Sequence, residues 1–512
     1  MREEARPVVR VRYRFPPLER RGVIAGWRAG QVGAVAAGLV LAVLSVRSRP
    51  SLGGVVIAVL LVGAGVVTAF WPIAGRTGEQ WLPVVVRWGW AGATGHRVQV
   101  ASGPSTGATV AVDGRTGSIR SQEGEPPPDA PTSVFEGLHL AASGGVDDAG
   151  SGTGVIVDDR ARTVTAVLAL LGHSFALLGP MEQDGRVAAW ARVLASLARE
   201  GSAVHRLQWV ETCLPDDGSA VRSHLDNHGV LADDAPAAQS YRALLAESSP
   251  VTRRHRVLVA VSVHRGRSAR AVRTAGGGLT GALDVLAREV AAVRTTLEGV
   301  DIGVDRVLDR AGLSSVLTEA LGPAPDGSGA PAGGVISGSV AGGVPWPMGI
   351  EAGWDVVRTD GAWHATYWVA EWPRVDVQPD FLGPLLFAPL RRTLSVVMEP
   401  VDPARAARQV AQARTAGLAD GELRRRNGFL TSARHTRERQ SVDERDVELA
   451  DGHAQFRYSG YLGVTADTPA ELEAACAALE QAAGQARLEV RRLYGQQDVA
   501  LLCLLPLGRG LS

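Results

Sequence analysis

The 512-residue sequence predicts an α+β protein with an N-terminal two-helix transmembrane hairpin ahead of two α/β lobes. Three observations lead there. Two uncharged apolar runs stand near the N-terminus, the remainder twice repeats an order of strand, helical excursion, strand and helix, and a Gly/Pro-rich break separates the two copies. That order fits a split β-α-β, ferredoxin-like unit in each lobe.

Composition excludes several function classes. The 53 basic residues balance 53 acidic ones, so the chain has no general attraction for nucleic acid. Every basic residue is Arg and no Lys occurs, which excludes a Walker A loop, whose Lys sits on the β- and γ-phosphates. Cys213, Cys476 and Cys503 are far apart and free of C-x-x-C spacing, against a disulfide framework or a zinc site. The soluble part is therefore expected to be cytoplasmic and reduced. Neither cofactor nor metal is called for.

The elements follow in chain order. Residues 1–28 form an Arg-rich N-terminus and 29–75 the hairpin. The first run, 29–46, is 18 residues without a charge, about 27 Å of helix against a hydrocarbon core of roughly 30 Å. A second, longer run follows after Arg47, Ser48, Arg49 and Pro50, which argues against a signal peptide. Gly33, Gly38, Gly53, Gly54, Gly63 and Gly65 suit helices that approach closely in lipid. Arg2, Arg6, Arg10, Arg12, Arg14, Arg20, Arg21 and Arg28 precede the first run, Arg76, Arg87 and Arg97 follow the second, and the tip has only two Arg. That bias places both termini in the cytoplasm and the chain in the inner (cytoplasmic) membrane as a multi-pass protein. Arg28, Trp71, Arg76 and Trp81 are the expected interface anchors.

Residues 76–120 read as a β-rich neck and 121–150, with its PPP run, as a linker. The first lobe, 151–321, carries VHRLQWVETCL, helical sequence, RHRVLVAVSVH and a helix near 281–297; residues 322–347 are too poor in large side chains to fix a core. The second lobe, 348–512, carries RRTLSVVMEPV, a long charged helical stretch, FRYSGYLGVTA and a helix over 469–487.

Each chemical motif has a plainer reading. His224 and His228 in HLDNH stand four apart, but no third ligand accompanies them. Gly276, Gly278 and Gly281 have the G-x-G-x-x-G spacing of a dinucleotide loop, yet helical sequence precedes them, which favours a helix-to-helix turn. No convergent set of carboxylates, histidines and nucleophiles emerges. The aromatic stretch from Asp360 is more distinctive: on a strand, Trp363 and Tyr367 point to one face and Trp368 and Trp372 to the other. Either both faces are covered, or one docks a partner subunit.

Two resemblances rest on these residues. YRFPPLERRG, the Gly-rich hairpin and GRTGEQWLPVVVRW resemble actinobacterial integral membrane proteins of secretion and conjugation loci. The segment from HRVLVAVSVHRGRSARAV to LDRAGLSSVL is similar to the cytoplasmic domain of the E component (EccE-like) of the type VII (ESX) secretion translocon, which likewise has two membrane spans. The C-terminal FRYSGYLGV to LLPLGR stretch resembles the end of the N-terminal domain of the type IV secretion assembly ATPase, where the motor would begin. Together they imply a non-enzymatic membrane-anchored subunit of a secretion or conjugative transfer apparatus, in an oligomeric assembly, docking a separate P-loop ATPase. A membrane-anchored transferase or hydrolase is the alternative.

Overall fold

In the computed structural model the described residues are 15, 29–48, 50–73, 76–100, 110–112, 119–121, 134–146, 152–172, 175–216, 221, 225, 228, 235–248, 253–323, 346–426 and 433–510. The chain is α+β, as expected, with an N-terminal pair of apolar helices and one large antiparallel sheet.

Helices α1 (Ala29–Ser48) and α2 (Leu52–Phe70) form the hairpin. Ser51 caps α2, its hydroxyl accepting from Gly54 N at 3.3 Å, and Pro50 stands in the turn before it. The expected neck holds helix α3 (Gly78–Ala93) as well as short strands. Thirteen strands then build the sheet. They are β1 (Val98–Val100), β2 (Leu138–Val146), β3 (Gly152–Asp158), β4 (Thr163–Leu170), β5 (Val204–Pro215), β6 (Arg253–His264), β7 (Val304–Val307), β8 (Gly349–Ala352), β9 (Val357–Thr359), β10 (Ala362–Glu371), β11 (Arg392–Pro400), β12 (Phe456–Ala466) and β13 (Glu489–Arg492). Between them lie α4 (Pro180–Leu197), α5 (Pro236–Ser248), α6 (Ala269–Thr274), α7 (Gly278–Glu298), α8 (Arg310–Leu321), α9 (Gly383–Leu386), α10 (Pro403–Arg426), α11 (Ala433–Ala450), α12 (Pro469–Gln485) and α13 (Gln497–Leu501).

The sheet order is β1-β8-β9-β10-β12-β11-β5-β6-β4-β3-β2, with β7 added beside β4 and β13 beside β10. Each half therefore contains four strands whose chain order reads fourth, first, third, second across the sheet: β7-β4-β6-β5 and β13-β10-β12-β11. The expected separation into two lobes is not what the sheet displays. Strands β5 and β11 pair antiparallel from Cys213 opposite Arg392 to Leu207 opposite Met398, so hydrogen bonding runs unbroken from one half to the other. Both strands are buried at positions on either face, as a central strand covered on both sides is.

Helices α4 and α7 pack on one face of the first half, and α12 with α9 on the second. Trp209 and Val396, on the joined strands, touch both of those clusters. The opposite face is covered by α8 and by the chain from α13 to Leu507. Helix starts carry their local signals: Asp309 accepts from Gly312 N at 2.8 Å before α8, and Thr468 accepts from Glu471 N at 3.3 Å before α12, with Pro469 at its first position. The charged stretch of the second lobe is a solvent-facing helical pair, α10 and α11, laced by Arg414 to Asp446 at 2.9 Å.

Candidate functional site: the membrane anchor and its coupling to the sheet

Gly30–Ser48 and Leu52–Phe70 are each long and apolar enough to cross a membrane. Leu39, Val43, Leu44, Val55, Val59 and Leu60 all face outward, an apolar surface costly in water and at ease in hydrocarbon. The seam between the helices is built from small residues. A Cβ at Gly38 would stand 3.0 Å from Leu61 O and 3.3 Å from Gly65 Cα, and one at Gly65 would stand 3.0 Å from Ala34 O. Ala42, Ala58 and Ala69 are buried. Backbones approaching this closely are the usual basis of helix association in lipid, where burial of apolar surface drives little.

Helix α3 joins this anchor to the sheet. It begins tight under the end of α2, since a Cβ at Gly78 would lie 2.8 Å from Thr68 O. Its inner face then meets the body: Trp81 stacks on Trp354 at 5.9 Å, and Trp88 meets the same ring edge-on at 5.0 Å. Tyr494 completes the cluster, 6.4 Å from both Trp81 and Trp354. Arg87 Nη2 donates to both Asp498 oxygens at 3.0 Å, and Arg97 lies over the Trp88 ring at 3.3 Å. Trp354 follows β8 and Tyr494 precedes α13, so α3 is fastened to both the sheet and its C-terminal covering.

The four anchors expected from sequence fare differently. Trp71 stands 63% exposed at the end of α2. Arg76 and Trp81 turn to the protein itself, with Arg76 approaching Gln496 Oε1 at 3.5 Å and lying 5.5 Å from the Trp81 ring. Arg28 lies outside the described residues.

The aromatic strand is β10. Tyr367 is 1% exposed and its hydroxyl donates to Glu480 Oε1 at 2.9 Å. Burial, and then Cys476 beside it, hold its phenol well above the usual pKa. Trp363 is half-buried beneath Arg358, whose Cζ is 5.4 Å from the ring. Trp368 donates from Nε1 to Ser459 Oγ at 3.1 Å on the opposite face. Trp372 does not share the Trp368 face as simple alternation predicts. A register shift between Val369 and Glu371 turns it to the side of Trp363 and Tyr367. There it stacks on Phe15 at 5.2 Å and meets Tyr458 at 5.8 Å.

Sequence reasoning missed the polar seam where the halves join. Glu211 on β5 takes a two-pronged ion pair from Arg392 on β11, and His255 Nδ1 lies 2.7 Å from Glu211 Oε1. Arg392 also donates to Leu386 O at 2.6 Å. Three residues along β5 and on its opposite face, Gln208 Nε2 donates to Ser395 Oγ at 2.9 Å and Leu505 O at 2.8 Å, and its Oε1 accepts from Gly508 N at 2.7 Å. The segment after α13 thus runs across the sheet from second half to first. It ends with Arg509 on Asp158 at 2.6 Å and Gly508 against Ser262, at a φ of +69° with no room for a Cβ. The signal available in the sequence was a Glu, a Gln and an Arg among the largely apolar buried positions of two strands.

All three thiols are buried, and burial pushes Cys503 up to about 12, far from the thiolate. Burial, then Arg391, pushes His364 down to about 3, leaving it neutral between Thr359 Oγ1 and Thr465 Oγ1 at 2.7 and 3.0 Å. Among the described residues no three His, Cys, Asp or Glu are grouped to hold a metal; His224 of the HLDNH pair lies outside them. Gly276, Gly277 and Gly278 all take positive φ in the turn between α6 and α7, and Gly281 packs on Val272 O. The triple glycine makes a helix-to-helix turn.

Comparison with protein families gives one finding. Residues 251–369, from β6 to β10, match the family model described as "Putative type VII ESX secretion system translocon, EccE". The segment likened to the E component falls within that match, while the C-terminal stretch likened to the type IV assembly ATPase lies beyond it. No curated protein matches the chain.

Proposed function

We propose that the chain is a non-enzymatic, membrane-anchored subunit of a secretion apparatus of the type VII kind, and that its folded body docks a separate P-loop motor ATPase. The observation that carries this reading is the match of residues 251–369 to a translocon family in a chain with two helices long and apolar enough to span a membrane. The eight Arg before α1 support a multi-pass arrangement with both termini cytoplasmic. The 512 residues have no Lys and therefore no Walker A loop, so a P-loop motor lies outside them.

The anchor and the body act as one piece in this reading. The Trp81–Trp354–Trp88 contacts carry force from α3 to the sheet, and the β5–β11 joint carries it across. For docking the motor, the half-buried edges of Trp363, Trp368 and Trp372 are the part of the aromatic strand left to a partner, because Tyr367 is enclosed. Neighbouring subunits complete an oligomeric assembly, without sequence-specific contact to nucleic acid. Affinity purification of the tagged full chain from detergent-solubilised native membranes tests the reading. Co-purification of a P-loop ATPase and further membrane subunits is the expected result; recovery of the chain alone, or turnover of a nucleotide or sugar donor by the pure chain, contradicts it.

A further inference from the structure

The outer face of α3 is apolar and open. Leu82, Val85, Val86 and Trp90 are 66, 49, 59 and 71% exposed. At about 100° per residue they share one side of the helix with Gly89 and Ala93, opposite Trp81, Val84 and Trp88. The inner side is held by Trp354, Tyr494 and Asp498, so the direction of the open stripe is fixed.

We propose that this stripe lies in the membrane surface, making α3 an interfacial helix seated at the boundary of headgroups and acyl chains. The inference rests on the reading that α1 and α2 span the bilayer. Continuity with the hairpin selects lipid as the occupant. Gly78 abuts Thr68 near the end of α2, and the Glu79 side chain lies against Gly30 at the start of α1. The stripe thus starts at the level where both spans leave the hydrocarbon. Its chemistry agrees with that depth: aliphatic side chains in the middle, Trp90 toward one end and the exposed Trp71 at the end of α2. Indole rings prefer the interface, where one edge is apolar and the other wet. Apolar faces of this kind bury themselves shallowly, about 5–10 Å into the boundary. Most helices that lie on membranes present a polar face to water, whereas here the inner face is bonded to protein. The consequence is that α3 sets the tilt of the whole sheet relative to the bilayer.

A site-specific probe tests this, because the native thiols Cys213, Cys476 and Cys503 are all buried. The full chain carrying Val86→Cys, Trp90→Cys or, as reference, Val40→Cys in α1 is labelled with an environment-sensitive fluorophore. It is then reconstituted into phosphatidylcholine and phosphatidylglycerol vesicles containing spin-labelled lipid. The expected result is that probes at 86 and 90 are quenched more by a spin label near the headgroup than by one near the acyl terminus, with the order reversed at 40. Quenching at 40 but not at 86 and 90 overturns the inference and leaves the spanning reading standing. A blue-shifted, unquenched signal at 86 and 90 overturns it in favour of a protein partner, and stronger quenching there by the deep label overturns it in favour of a third span. Absence of quenching at all three positions overturns the spanning reading itself.

Discussion

Glu211→Ala should be among the most damaging single changes in the sheet. The substitution leaves Arg392 with its side chain 0% exposed and its main partner gone; only Leu386 O still accepts from it. Removing one member of a buried ion pair costs about 3–5 kcal/mol, most of it the charge left without compensation. For a body spanning residues 76–510, about 2.1 cal/mol/K per residue gives an unfolding entropy of roughly 0.9 kcal/mol/K, so the melting temperature should fall by about 3–6 °C. Arg392→Met should cost less, because Glu211 keeps His255 at 2.7 Å and reaches a partner whose ring is partly in solvent. The double change Glu211→Leu with Arg392→Met should recover much of the loss, since well-packed apolar side chains replace buried pairs at little cost. Melting of the full chain in detergent, followed by tryptophan fluorescence, reads all three. A Glu211→Ala protein as stable as the parent, or a double variant worse than either single, would refute the argument that uncompensated charge dominates at this joint.

Further outcomes follow from the same structure. His364, held down to about 3 by burial and Arg391, takes up a proton in the unfolded chain before it does in the folded one, so stability falls as pH drops below 6.5. At pH 5 that contribution is about 2 kcal/mol, and His364→Gln should flatten the slope of melting temperature against pH over this range. Gly38→Leu should part α1 from α2 because even its Cβ would stand 3.0 Å from Leu61 O and the rest of the side chain would need more room, whereas Gly33→Leu, with nothing within 4 Å, should not; thiol cross-linking between the helices distinguishes them. Trp354→Ala should expose α3 to protease by removing the ring that both Trp81 and Trp88 touch, while Asp498→Asn should do little, its partner Arg87 being 46% exposed and worth about 1 kcal/mol or less.

Much of the architecture could be read from patterning, and the rest depended on pairings that no local pattern encodes. The hairpin, the strands VHRLQWVETCL, RHRVLVAVSVH, RRTLSVVMEPV and FRYSGYLGVTA, and the helices after them stand where the apolar periodicity puts them. The joint between halves was illegible because β5 and β11 are separated by more than 170 residues, and only their buried Glu211 and Arg392 betray a shared environment. Helix α3 lies in the segment whose alternating runs HRVQVA and ATVAVDG predict a β-rich neck, and those runs begin only after the helix has ended. Pro83 stands inside the helix, where it removes the bond to Glu79 O, and packing of Trp81 and Trp88 on Trp354 outweighs that loss and the weak helix propensity of Val. Trp372 changed faces through a bulge at a position that carries no glycine to announce it.

The central claim is that this chain serves a secretion apparatus from the membrane, and export itself reads it most directly. In a strain of the source organism from which this chain is deleted, type VII substrates should accumulate inside the cell and disappear from the medium. The full chain should restore export, and a chain lacking residues 29–75 should not. Unimpaired export in the deleted strain, or full rescue by the chain without its hairpin, would contradict the account.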